Sequence, residues 1–204
     1  PLPPGTKAGP SIAEVGPQSA PPAKPTSIFP DKPASTALKP FPFQAEGIAW
    51  LKQRETALLA DDMGLGKTVQ AIFWAAARKP VLVIVPAAVQ YNWADEISKW
   101  RPGDAESITV LQSTDDLPRK LSDWTVITYG MVSRHLEGLQ KAGFKSLVVD
   151  EAHYIKNLDA KRTQAVLQLV APTKTSPGGK LIGSRLAVTG TPITNRPPEL
   201  FPLL

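Results

Sequence analysis

Ala57-Leu58-Leu59-Ala60-Asp61-Asp62-Met63-Gly64-Leu65-Gly66-Lys67-Thr68 decides the fold. Four apolar residues make a short buried strand, two acids and two glycines interrupt it, and apolar residues then recur at helical spacing up to residue 78. A strand that turns through glycines into a helix is the context a phosphate-binding loop requires. Glycine lets the backbone close around phosphate oxygens, and successive N–H groups at a helix N-terminus favour an anion. The loop residues Asp62, Met63, Gly64, Leu65 and Gly66 are therefore expected to cradle phosphate. Lys67 is expected at the β- and γ-phosphates of a nucleotide, and the Thr68 hydroxyl on Mg2+. In G-x-x-x-x-G-K-[ST] the first position is Gly, and here it is Asp61. A glycine-rich strand-to-helix turn without a ligand is the alternative from this segment alone.

Outward from the loop, short apolar runs alternate with amphipathic stretches. Strands are expected over 57–60, 81–85, 108–111, 126–128, 147–149 and 186–188. Helices are expected over 44–54, 67–78, 91–100, 131–142 and 160–170, with a last one opening near Pro197. Such alternation argues an α/β domain with a mostly parallel sheet and helices on both faces. The Gly-, Ser-, Thr- and Pro-rich stretch 173–184 reads as a surface loop. Trp50, Trp74, Trp93, Trp100 and Trp124 read as core.

Residues 1–37 contrast with this. They hold 10 of the 22 prolines, five charged residues and a single aromatic, Phe29. Too little apolar surface is present to offset ordering entropy, so the segment reads as an extended or disordered linker ahead of a domain over 38–204. A proline-rich docking segment is the alternative.

Composition narrows the class. With 204 residues the chain can bury a core unaided. The absence of Cys excludes disulfides, thiolate zinc sites and a cysteine nucleophile, and fits a reducing, intracellular setting in cytoplasm, nucleoid or nucleus. Two histidines argue against a multi-histidine metal site. The apolar run around 81–85 is far below the roughly 20 residues that span a bilayer, and the N-terminus lacks the layout of a signal peptide. Residues 126–204 carry ten bases against five acids and account for the net charge of +5. A basic surplus suits phosphate-rich partners, although a solvated surface would look the same.

A second acidic signal closes the chemistry. Leu147-Val148-Val149 runs into Asp150-Glu151-Ala152-His153. Acids at the carboxyl end of a buried strand face the ligand crevice of an open α/β sheet. Asp150 is expected to hold Mg2+ and Glu151 to polarise an attacking water as general base. His153 is expected to couple this loop to its neighbours. An acidic helix cap is the alternative for the pair in isolation.

Together these motifs resemble the N-terminal ATP-binding lobe of superfamily 2 helicases, and more narrowly the Swi/Snf-type double-stranded DNA translocases. Residues 59–68 resemble that family's motif I, which also lacks the first Gly, although the family usually has Glu where Asp62 stands. Asp150-Glu151-Ala152-His153-Tyr154-Ile155-Lys156-Asn157 resembles its motif II with the Ile-Lys-Asn extension, and Thr189-Gly190-Thr191-Pro192-Ile193-Thr194-Asn195 its motif III. Phe43 and Gln44, with Gly47 and Trp50, resemble the upstream glutamine motif. Val85-Pro86 with Trp93 to Trp100 resembles motif Ia, and Ile127-Thr128-Tyr129-Gly130 motif Ib. The stretch 195–200 resembles the annealing-helicase subgroup.

The resemblance implies a RecA-like lobe over 38–204, ATP or ADP with Mg2+ as cofactors, and duplex DNA as a partner bound through its backbone without regard to sequence. It implies that Gln44 reads adenine, and that His153, Thr189, Gly190 and Thr191 couple hydrolysis to DNA. It places Thr128, Tyr129, Lys156, Lys161 and Arg162 near DNA. In the resembling family the arginine that completes phosphoryl transfer comes from a second RecA-like lobe. A lobe without it is expected to be monomeric, to bind nucleotide and to hydrolyse poorly, the missing group being worth about 10³ to 10⁵ in rate. The alternatives are a lobe of a strand-separating helicase and a non-catalytic nucleotide- or DNA-binding module.

Overall fold

The computed structural model describes residues 38–112, 117–118, 120, 122–171 and 181–190. The expected linker 1–37, the helix near Pro197, most of the loop 173–184 and Thr191 lie outside the described residues.

Among the described residues, six strands form one sheet in the order β1-β6-β5-β2-β4-β3, every pair parallel. They are β1 (Thr56–Leu59), β2 (Val81–Val85), β3 (Ile108–Val110), β4 (Trp124–Thr128), β5 (Ser146–Asp150) and β6 (Ser184–Val188). The helices are α1 (Pro42–Lys52), α2 (Lys67–Ala75), α3 (Gln90–Trp100), α4 (Tyr129–Ala142) and α5 (Lys161–Val170). This is the expected parallel architecture, with helices on both faces.

Alternation along the strands builds two cores. In β2, Val81, Val83 and Val85 join Ala71, Ile72 and Trp74 of α2, Trp93 and Ile97 of α3 and Leu51 of α1. Leu82 and Ile84 point the other way, into a cluster with Val132 and Leu139 of α4 and Val166 and Leu169 of α5. All five β2 residues are buried, as a central parallel strand covered on both faces must be.

Helix boundaries shift by a few residues from those expected. Pro42 opens α1 at the first helical position, where its missing N–H costs nothing. The helix expected to reach residue 78 ends at Ala75, because Arg78 turns back and donates to the carbonyls of Trp74 and Lys52. Trp50 corrects the expectation that every tryptophan is core. The buried face of α1 is Gln44, Ile48 and Leu51, and Trp50 lies on the opposite side, 49% exposed, with the Arg54 guanidinium 3.5 Å from its ring centroid. Among the described residues, no helix is long and apolar enough to cross a membrane.

Candidate nucleotide site

Strand order places the site. The loop after β1 and the acids ending β5 are separated by one strand, β6. All three strand ends open on one cleft of about 420 Å3, lined by Met63, Gly64, Gly66, Lys67, Thr68, Trp93, Asp150, Glu151 and Gly190 among others. Loop, acids and the start of the Thr189-Gly190 segment thus meet at the carboxyl edge of the sheet, the usual ligand position in open α/β folds.

The loop is held from behind. Gly66 caps α2 with φ 72° and ψ 41°, a left-handed conformation open to glycine. A Cβ on Gly66 would also collide with Gln44 Nε2. Gln44 is 4% exposed. Its Oε1 accepts from Phe41 N at 3.0 Å and its Nε2 donates to the Leu65 carbonyl at 3.1 Å, so the side chain locks α1 onto the loop. Asp61, where a glycine stands in G-x-x-x-x-G-K-[ST], accepts at Oδ2 from Gln70 Nε2 at 2.8 Å and ties the loop to α2. Lys67 Nζ donates to the carbonyls of Asp61 and Asp62 at 2.8 and 2.9 Å.

The acids are held as firmly. Asp150 Oδ2 accepts from Trp93 Nε1 at 2.7 Å, and Oδ1 from the Glu151 backbone N–H at 3.0 Å. Burial is the main influence on the Asp150 carboxyl and raises it above its ordinary value. Glu151 has φ 48°, ψ 52°, a left-handed conformation costly for a residue with a Cβ. His153 Nδ1 lies 3.2 Å from Glu151 Oε2, off the line of a hydrogen bond. Thr189 is buried and extends the β6–β1 ladder through its N–H to the Leu59 carbonyl at 3.0 Å. Gly190 approaches so closely that a Cβ there would sit 2.9 Å from Met63 Cγ and 3.5 Å from Lys67 Nζ.

Thr68 and Asp150 line the same cleft and offer a hydroxyl and a carboxylate, hard oxygen donors of the kind Mg2+ takes. No cluster of three His, Cys, Asp or Glu suited to a metal occurs among the described residues. That donor set suits a cation that uses one or two protein ligands and completes its shell with phosphate and water.

The residues expected at DNA gather beside the acids. Thr128 ends β4, and Tyr129 begins α4. Tyr129 is turned inward, 5% exposed, and its hydroxyl donates to the Asp150 carbonyl at 2.5 Å. Burial raises its phenol far above the ordinary value. Its side chain therefore braces the acidic turn and is not presented outward. Tyr154 stacks on Tyr129 with centroids 5.4 Å apart. Arg162, exposed, lies over Tyr154 and donates from Nε to its carbonyl at 2.8 Å. Lys161 is exposed and Lys156 half-buried on the same turn and helix start.

Gln70, Trp93 and Tyr129 hold the site in ways sequence reasoning missed. The Asp61 departure was a cue to Gln70, since a carboxylate in that turn needs a donor. Trp93 and Tyr129 carried no comparable cue to their contacts with Asp150.

These motifs on this sheet define a RecA-like ATPase-core lobe of the Swi/Snf type. The SNF2-related domain family matches residues 43–204, and the chain belongs to that family. It is 38% identical over 188 residues to the DNA annealing helicase and endonuclease ZRANB3 of Bos taurus, covering 87% of this chain and 16% of that protein. It is 33% identical over 165 residues to the SWI/SNF-related matrix-associated actin-dependent regulator of chromatin subfamily A-like protein 1 of Xenopus laevis, covering 78% and 16%. The Sulfolobus solfataricus SWI2/SNF2 ATPase core in complex with dsDNA superposes with a TM-score of 0.66 at 31% identity, covering 83% of this chain and 37% of that one. The chain therefore spans about 16% of the length of these curated relatives.

Proposed function

We propose that this chain is the ATP-binding lobe of a DNA-dependent ATPase that couples hydrolysis to movement on, or remodelling of, duplex DNA. The observation that carries the reading is the meeting of Lys67, Thr68, Asp150 and Glu151 in one cleft. Backbone N–H groups of the Gly64–Gly66 turn and the α2 N-terminus favour phosphate. Lys67 is free to leave the carbonyls of Asp61 and Asp62 for phosphate oxygens, a stronger, charge-assisted partner. Thr68 and Asp150 would hold Mg2+, which when bound neutralises charge on the phosphates. Glu151 stands at the cleft as the base that orients and deprotonates water, and its strained backbone directs it there. Gln44, whose amide is spent on the Phe41 N–H and the Leu65 carbonyl, would act on the adenine side by holding the loop, and Thr189 and Gly190 report the state of the loop to the segment that follows. His153, beside Glu151, links the acidic turn to its surroundings. A second RecA-like lobe would supply the arginine that stabilises the transferred phosphoryl group. Duplex DNA would run along the turn and helix start bearing Lys156, Lys161 and Arg162, with Thr128 beside them. The S. solfataricus core, in complex with dsDNA, supports that partner class by likeness.

Calorimetric titration of the chain with ADP and with a non-hydrolysable ATP analogue, in Mg2+, tests the reading. Lys67→Ala is expected to abolish measurable binding while the thermal transition remains cooperative. Equal affinity in the native chain and the variant would overturn the phosphate-loop assignment.

A further inference from the structure

We infer that the indole N–H of Trp93 is a positioning group for Asp150, fixing the carboxylate in the orientation that receives the nucleotide-bound Mg2+; this rests on the nucleotide reading above. Trp93 is 2% exposed and its ring joins the core between α3 and the sheet. Packing alone asks for a large apolar ring there. It does not ask for a donor, and a buried indole N–H must find an acceptor. The acceptor is Asp150 Oδ2, 2.7 Å away on an element 57 residues further along the chain.

The consequence lies in the lone pairs. Oδ1 is bound by the Glu151 N–H at 3.0 Å and Oδ2 by Trp93, so rotation of the carboxylate about its Cβ–Cγ bond is blocked at both ends. The remaining lone pairs keep a constant aim into the cleft that both residues line. A half-buried carboxylate held by the Glu151 N–H alone would swing, and a cation that demands near-octahedral geometry penalises a swinging ligand. Donors that orient metal ligands are typically worth 10- to 100-fold in metal affinity.

Trp93→Phe keeps the ring and removes the donor. Nucleotide affinity measured by calorimetry across a Mg2+ series, and in EDTA, separates the two roles. The Mg2+-dependent gain in ADP affinity is expected to fall about 10-fold or more, recovering at high Mg2+, with affinity in EDTA unchanged. In a cycle with Asp150→Asn the two losses are expected to be non-additive. A loss of equal size with and without Mg2+, no loss, or additive losses would overturn the inference. Should Trp93→Phe fail to fold, the indole N–H resonances of the native chain decide it. Asp150→Ala is expected to shift the Trp93 resonance and speed its exchange, and an unmoved resonance overturns the inference. Failure of the underlying reading looks different. If the native chain binds no nucleotide, reading and inference fall together. If Asp150→Asn abolishes the Mg2+ dependence and Trp93→Phe leaves it at the native value, the inference alone falls.

Discussion

At Asp150 and Asp104, one carboxylate half-buried and the other buried, stability is pulled in opposite directions. Burial raises Asp150 above its ordinary value of 3.8. Its native form therefore holds more protons than its unfolded form, and ionising it costs stability as pH rises above that value. Asp104 is also penalised by burial, but the Lys79 ammonium at 2.5 Å, the Trp124 N–H and Arg101 together hold it below 3.8. Its stabilisation is present in full above the unfolded value and is lost as pH falls through the lower folded one. Asp150→Asn removes that cost but leaves one of the Trp93 and Glu151 N–H groups without an acceptor, so its melting temperature relative to the native chain is expected to rise as pH rises from 4 to 7. Asp104→Asn is expected to lower stability by about 1–3 kcal/mol at pH 7, the deficit fading in acid. Melting curves from pH 3 to pH 8 check both, and two variants moving in the same direction would contradict the assignment. Much of this scale was legible in sequence. Lys67, Thr68, Asp150 and Glu151 announce themselves because each belongs to a contiguous motif. Gln70 and Trp93 do not, because the atoms they bind belong to other elements, Asp61 and Asp150. Tyr129 was legible as part of a motif, but its inward rotation follows from stacking on Tyr154, which only the folded chain supplies.

Among the elements, β2 shows how strand composition becomes architecture. Its side chains serve two cores in alternation, so each is fully enclosed. Ile84→Ala is expected to cost about 2–5 kcal/mol and Ile84→Val about 0.5–1.5 kcal/mol in urea unfolding. A loss below about 1 kcal/mol for the alanine variant would mean that α4 and α5 do not close over that face. The unbroken run Val81–Val85 made β2 readable in advance as a strand of a sheet covered on both faces, while its place in the strand order came only with the fold. Ends of elements were less readable, for local reasons. The C-terminus of α2 is set by a side chain beyond it, Arg78, reaching carbonyls on α2 and α1. The outward face of α1 could not be told from its inward one, because Trp50 and Leu51 are both apolar and only the sheet distinguishes them.

For the whole molecule, the proposed DNA path is the turn and helix start that carry three of the ten bases of residues 126–204. Lys161 and Arg162 lie at the surface beside the turn that follows the acids, and Arg162 reaches that turn through Tyr154. Backbone binding of this kind is independent of base sequence and releases counterions. Affinity for random-sequence duplex is expected to be about 10⁻⁴ to 10⁻⁶ M at physiological salt. Replacing Lys156, Lys161 and Arg162 with Ala is expected to flatten the log affinity against log salt slope by about one for each phosphate no longer neutralised. Fluorescence anisotropy over a salt series measures it, and an unchanged slope would put the DNA elsewhere. The order of the strands has a further bearing, on how the molecule comes into being. The strand that lies between the β1 loop and the β5 acids, β6, is the last of the six along the chain. A ribosome makes the phosphate cradle early and the acids about eighty residues later, yet the two stand side by side only once Ser184–Val188 has slotted between their strands. Closing that gap joins segments over a hundred residues apart, the slow kind of pairing in folding. The nascent chain therefore carries the parts of a nucleotide site long before it has one, and nucleotide arriving during synthesis can reward only the finished sheet.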